Sequence, residues 1–515
     1  MMTPSARPPA TPITAPLQPF ETTADVAPQG PIDRLVFARL DKLGIRPANL
    51  CSDAVFVRRV YLDAIGTLPS GQEARDFLQD KSPDKRSVLV DRLLERDEFA
   101  DYWAMKWSDL LRVKAEFPID LWPNAVQAYY HWIRASVKEN KPYDRFVREL
   151  LTSSGSNFRV GPVNFYRAVQ GRDPQTIART VALTFMGTRA EKWPKGRLTA
   201  MAAFFSQIGY KYTDEWKEEI VFWDFERSDG APRASVFPDG TPARIPADTD
   251  PREVFADWLI SPKNPWFTCN IVNRIWSWLL GRGIIQEPDD IRPDNPPGNP
   301  ELLALLQREL AISHYDLKHI YRLILNCRTY QLSSIPRTTQ PEGQANFAFY
   351  PLRRLDAEVL VDALDQITGT TEKYSSAIPE PFTFIPESHR TIALPDGSIT
   401  SSVLEMFGRP ARDTGLESER NNRPTADQRL YLLNSMDIQH KLELGPKMAS
   451  LVPWGSSVAH DTVTGIYLAI LSRFPTDAEL ATVDAYSQSG VAVGRDAMLD
   501  LVWALINSAE FLYRH

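Results

Sequence analysis

One stretch of forty residues, Asn264 to Leu303, constrains this chain more than any other. It reads NPWFTCNIVNRIWSWLLGRGIIQEPDDIRPDNPPGNPELL and holds Asn273 and Arg274, three tryptophans, a Gly281-Arg282-Gly283 turn, and the paired Asp289 and Asp290. Its first half is apolar at helical spacing and runs up to the Gly281-Arg282-Gly283 turn. Its second half closes on Asn299-Pro300-Glu301, an N-cap, a first-turn proline and an acid near the positive helix end. The segment therefore predicts two helices, 265–280 and 300–312, held by a defined joint. No complete catalytic motif lies in it or elsewhere in the chain.

Helical periodicity also dominates outside this joint. Helices are expected over 31–43, from Ser52 through VFVRRVYLDAIG, and after a capping box at Ser70–Glu73. Others follow over 84–95, 97–113, 123–139, 143–153, 173–186, 196–207, 251–260, 315–327 and 353–368. A last set covers 424–443, 460–472, 476–488 and 494–513. One small β-hairpin is expected at 219–238, where EEIVFWDF and PRASVFPDG flank Ser228-Asp229-Gly230. The Pro-rich run after it places a domain boundary near 240–250. The fold class is thus mainly α: a disordered Pro-rich leader over 1–30, a helical domain over 31–240 carrying the hairpin, and a second helical domain packed on it over 241–515. With 515 residues the chain is long enough for such cores.

Composition narrows the chemistry. The net charge of −7 comes without a block of like charges, which argues against a nucleic-acid groove lined by clustered Lys and Arg. Cys51, Cys269 and Cys327 form no C-x-x-C pair, so a disulfide framework and a Cys-rich metal centre are excluded; three small buried hydrophobes are expected. No apolar run is long enough for a transmembrane segment. H-E-x-x-H, G-x-S-x-G and phosphate-loop patterns are absent. Asp289, Asp290, Asp294 and Asn295 lack the spacing of a calcium loop, so no metal is expected there. The tryptophan clusters at 103–132 and 258–278 fit helix cores better than sugar-stacking platforms.

Several strings then coincide in order: RRVYLDAIGTLPSGQEARDFL at 58–78, WAMKWSDLLR at 103–112 and NKPYDRFVRELL at 140–151. They resemble the bacterial domain-of-unknown-function family 1549. The 264–303 joint, DLKHIYRLILNCRTYQLSS at 316–334, RRLDAEVLVDAL at 353–364 and FGRPARDTGLESER at 407–420 resemble family 1553, which usually follows 1549 in one polypeptide. The resemblance implies a planctomycete-type protein, generally exported, hence periplasmic or extracellular, with a cytoplasmic location as the alternative because the first residues show no signal peptide. Relatives often carry C-x-x-C-H for covalent haem late in the first domain. Here Met186-Gly187-Thr188-Arg189 runs straight into Ala190-Glu191-Lys192-Trp193, and Leu416 and Ser418 stand where relatives carry thiols. The haem motif is lost, and no cofactor is expected.

The remaining candidates are arginines and carboxylates. Arg58, Arg59 and Asp63 share one helix, as do Arg353, Arg354, Glu358 and Asp362; Arg59 with Asp63, Asp109 with Arg112, and Arg354 with Glu358 stand at ion-pair spacing. Each such pair is ordinarily a surface contact worth ~0.3–0.5 kcal/mol. The functional reading places them, with Asn273, Arg274, Arg282, Arg409, Arg412 and Arg420, around a shared interdomain cleft where guanidinium forks bind an anion. Two functions follow. The first is a haem-free, non-redox binding or assembly subunit holding a partner protein or an anionic glycan. The second is a hydrolase of a polysaccharide or sulfated glycan, with Glu417 and Glu419 as catalytic acid and base and Arg409, Arg412 and Arg420 binding the anion.

Overall fold

A computed structural model describes residues 20–22, 26–227, 233–452 and 459–515. It is mainly helical, with three small sheets. The helices follow the sequence periodicity closely: Pro31–Lys42, Asp53–Ala64, Gly71–Gln79, Asp97–Leu110 and Pro123–Lys138 open the chain, and Phe267–Leu280 and Pro300–Ile312 flank the joint. Ser52 accepts from the Val55 amide, and Ser70 and Glu73 form the reciprocal capping box. A single hydrophobic core runs from Ile32 to Phe511 through both halves of the chain. Trp103, Trp107, Trp276 and Trp278 are buried in it, and all three cysteines are free and buried. Among the described residues, no helix is long and apolar enough to cross a membrane.

The β structure departs from a single hairpin over 219–238. Glu219–Trp223 pairs antiparallel with Ile208–Tyr212 and with Gly155–Ser156, while Arg233–Val236 turns back on Pro242–Ile245. The two expected strands are both present but choose other partners, and the Ser228-Asp229-Gly230 turn lies outside the described residues. The leader, expected to run to residue 30, is in place at its end: the Thr22 amide donates to the Leu50 carbonyl at 2.9 Å and the Ser52 amide to the Phe20 carbonyl at 3.0 Å. Residues 1–19 lie outside the described ones.

One boundary shift matters for function. The helix expected from 353 begins at Ala357, because Arg353–Arg354 form a two-residue ladder with Tyr513–Arg514. The last residues of the chain are thereby drawn into the middle of the molecule. Arg354 leaves the helix, so its expected pairing with Glu358 is not made.

Candidate functional site

A polar cleft of about 410 Å³ opens where the two halves meet. Helix Asp97–Leu110 contributes Lys106, helix Phe267–Leu280 contributes Trp278, the joint contributes Asp289, and the 353–354 ladder brings Arg353, Arg354 and Arg514. Asp356 and the loop carrying Glu417, Arg420, Asn422 and Arg423 complete the wall.

Gly281 makes this convergence feasible. It ends helix Phe267–Leu280 at φ +72°, and a Cβ there would stand 2.5 Å from Arg353 Cδ. Arg353 can therefore lie across the helix end, donating to the carbonyls of Trp278 and Leu279, both at 2.7 Å. A cation on these terminal carbonyls complements the negative end of the helix.

Behind the cleft, four carboxylates neutralise most of the guanidinium charge. Asp63 accepts from the Tyr330 and Tyr350 hydroxyls at 2.9 and 2.7 Å and from Arg353 and Arg514, both at 3.2 Å. Asp356 accepts from Tyr102 at 3.0 Å, Lys106 at 3.0 Å, Arg514 at 2.9 Å and Asn422 at 2.7 Å. Glu358 takes a bidentate pair from Arg420 at 2.6 and 3.0 Å, and Asp109 takes Arg412 at 3.0 Å and Arg420 at 2.7 Å. Burial alone would raise the Asp356 and Glu358 pKa values, but the facing cations win. Lys106, Arg514 and Arg420 hold Asp356 well below the carboxylate range, and Arg420 with Arg409 brings Glu358 down to about 2. Lys106 is pulled the other way: burial and the charges of Arg420 and Arg514 lower its pKa, against the support of Asp356.

Two cations are left over. Arg354 donates only to backbone carbonyls, at Asn422, Phe407 and Asn421, and its buried Nη1 has no partner. Arg423 is exposed at the cleft wall; its backbone bonds to the Asn421 and Gln428 side chains, and its guanidinium makes no ion pair or hydrogen bond among the described residues. Glu417 sits opposite with a different character. Both its oxygens accept from the Trp278 indole N–H at 2.9 Å, and its amide donates to Asp289 at 2.7 Å. Burial raises its pKa; Lys106 and Arg274 pull against that, and Asp289 reinforces it.

The structure sorts the residues singled out in the sequence. Arg353, Arg354, Arg420 and Glu417 line the cleft, with Asp63 and Glu358 immediately behind. Arg58 is spent on the Ile470 and Phe511 carbonyls at 2.7 and 2.8 Å, and burial lowers its pKa to about 10. Arg59 holds the Tyr330 and Leu332 carbonyls and lies 3.8 Å over the Tyr350 ring, so it does not pair with Asp63. Arg409 holds the Ile399 and Asp396 carbonyls, and Arg412 the Pro395 carbonyl beside its bond to Asp109. Arg112 gives its Nε to the Thr414 carbonyl at 3.0 Å, leaving Asp109 to Arg412 and Arg420.

Asn273 clamps both backbone groups of Ile285, and Arg274 pairs with Asp289 at 2.6 Å. Arg282 stands half-buried beside the cleft without lining it. Glu419 accepts from the Asp413 and Thr414 amides at 2.8 and 3.1 Å, bracing its own loop. Glu417 and Glu419 thus face different groups. Of the acidic joint, Asp290 and Asp294 pair with Arg292 at 3.0 and 2.7 Å.

Lys106, Asp356, Asn422 and Arg514 were not legible as site residues, whereas Arg423 stands in the same charged run of the sequence as Arg409, Arg412 and Arg420. Asp356 occupies the N-cap position of helix Ala357–Thr368 and reads as a cap, yet its side chain makes no capping bond because Tyr102, Lys106 and Arg514 claim it. Lys106 did leave a signal, as the lone cation in the aromatic run WAMKW.

The segment 186–193, where the resemblance leads one to expect a haem motif, closes onto the joint. The Ile291 amide donates to the Gly187 carbonyl at 2.8 Å and the Thr188 hydroxyl to the Ile291 carbonyl at 3.0 Å. It offers neither thiol nor imidazole, so covalent haem does not fit these residues.

Comparison with known proteins places the chain. Residues 31–196 match a family model described as "Protein of unknown function (DUF1549)", and residues 251–487 match "Protein of unknown function (DUF1553)". No curated protein and no solved structure gives a significant match.

Proposed function

We infer that this chain, which belongs to the paired families DUF1549 and DUF1553, is a non-redox binding subunit whose central cleft holds the anionic group of a glycan. The observation that carries this reading is Arg354, which makes no direct ion pair among the described residues and has chiefly the charge of nearby Asp356 to support it. A buried guanidinium with one amino group unpaired is costly unless a ligand supplies the missing acceptor. Arg423 adds a second free cation at the mouth, where it can meet the same anion. The cleft volume of about 410 Å³ suits a sugar-sized ligand. Family resemblance adds export to the periplasm or beyond, where acidic and sulfated glycans are met.

Hydrolysis by Glu417 and Glu419 is the weaker reading. It needs two carboxylates flanking one bond. Glu419 is committed to the backbone of residues 413–414, and Asp356, the ionised carboxylate in the cleft, is taken by Lys106 and Arg514. Calorimetric titration with glucuronate, galactose 6-sulfate and glucose tests the binding reading. The two anionic sugars are expected to bind and glucose is not, and Arg423→Glu is expected to weaken binding by about tenfold or more. Equal binding of glucose, or an unaffected Arg423→Glu variant, contradicts it.

A further inference from the structure

Two helices late in the chain, Met436–Leu444 and Arg495–Ile506, leave a groove of about 630 Å³ between them. On the first helix, Ile438 and Leu442, 2% and 5% exposed, stand four residues apart and form the groove floor. On the second, Leu499 and Trp503 repeat that spacing. Leu433, 43% exposed, and Trp503, 39% exposed, carry the apolar surface up to the groove edge. This is the face two helices present to a third, with anchors at helical intervals.

The rim decides what the third helix is. Glu443, Asp496 and Asp500 border the groove, and among the described residues no lysine or arginine lines it. On these helices Lys441 is paired with Asp365 at 2.8 Å, and Arg495 donates to the Glu443 carbonyl at 3.4 Å. The Tyr486 hydroxyl donates to Asp500 at 2.7 Å, which fixes that carboxylate without neutralising it. A second copy of this chain docking by the same face brings like charges together, which disfavours it. A helix with leucine-type anchors and lysine or arginine on its flanks is complementary in both shape and charge.

We propose that this groove docks a basic amphipathic helix of a partner protein, through apolar anchors seated between Ile438, Leu442, Leu499 and Trp503 and cations set against Glu443, Asp496 and Asp500. The twelve-residue helix Arg495–Ile506 sets the length, since about three helical turns span its ~18 Å. The proposal is independent of the anion cleft and survives if that reading fails.

Selection of a displayed library of amphipathic helices about fourteen residues long, with acidic, neutral and basic flanks equally represented, tests it on the full chain. Basic-flanked helices are expected to be enriched. The best of them, made as a labelled peptide, is expected to bind the Asp496→Lys/Asp500→Lys chain about tenfold more weakly, and acidic-flanked versions of the same peptide are expected to recover on that variant. Both aspartates are exposed, so the variant keeps its fold, checked by an unchanged melting curve. Leu433→Asp provides a second, apolar lesion at an exposed position. No enrichment, enrichment of acidic helices, binding indifferent to both variants, or self-association through this face overturns the proposal.

Discussion

Removal of the Asp356 carboxylate is the most informative single lesion. Asp356→Ala strips the acceptor from four buried or half-buried donors at once: the Tyr102 hydroxyl, the Lys106 ammonium, the Arg514 guanidinium and the Asn422 amide. Each orphaned donor costs about 1–3 kcal/mol if nothing replaces the bond. Relaxation and water entry recover part of the sum, so the expected loss is that of breaking a buried ion pair, about 3–5 kcal/mol. Lys106, whose pKa burial already lowers, then loses its main support and sheds its proton more readily. An exposed pair gives the contrast: Asp294, 72% exposed beside Arg292, is worth about 0.5 kcal/mol or less. Urea unfolding followed by far-ultraviolet circular dichroism measures both variants, with intrinsic fluorescence as a second probe for coincident transitions. A loss below about 1 kcal/mol for Asp356→Ala would refute the claim that this carboxylate anchors the two halves.

Other consequences follow from the same residues. Glu358 and Asp356 have folded pKa values below their unfolded ones, so their contribution is complete above about pH 4.5 and is lost as pH falls toward 2; acid unfolding should set in across that window. Glu417 runs the other way, its raised pKa meaning a penalty absent below 4.5 that grows as pH rises through the folded value. Glu417→Gln, which keeps an acceptor for Trp278, is therefore expected to be more stable than the parent at pH 8 and equal to it at pH 4, read by urea midpoints. Gly408, at φ +85° with a Cβ position 1.8 Å from the Asn421 carbonyl oxygen, should tolerate no side chain. Gly408→Ala is expected to cost at least about 1 kcal/mol and to abolish anion binding by displacing Asn422 and Arg423, checked by the same unfolding and titration experiments. A pyridine haemochrome assay should find no covalent haem, since residues 186–193 hold no thiol or imidazole; a band that survives acid–acetone extraction contradicts that expectation.

Helices were legible where local rules suffice. The apolar spacing of FTCNIVNRIWSWLL, the glycine after it and the Ser70–Glu73 box fix their elements through contacts within a turn. Strand partners were not legible, because Glu219–Trp223 and Arg233–Val236 choose neighbours by long-range packing that no turn signal encodes. The site was legible as a set of residue types and misread as a set of pairs. Arg59 with Asp63 and Arg354 with Glu358 have the spacing of surface ion pairs, yet all four are buried: Asp63 serves partners hundreds of residues away, Glu358 pairs with Arg420, and the two arginines hold backbone carbonyls. Spacing alone does not separate an exposed helix pair from a buried network. The clue was the company these charges keep: RRVYLDA and WAMKWSD place them among aromatic and aliphatic residues that the core claims. Arg514 left no such clue, since its role depends on a ladder with residues 353–354 far back in the chain.

The cleft itself is tested most directly by seeing an anion in it. Crystals soaked in selenate, a sulfate analogue with an anomalous signal, are expected to show a selenium peak with its oxygens within hydrogen-bond reach of Arg354 Nη1 and the Arg423 guanidinium, and to lose it in Arg423→Glu. Selenate found only on outer-surface lysines, with an empty cleft in the parent protein, contradicts the account.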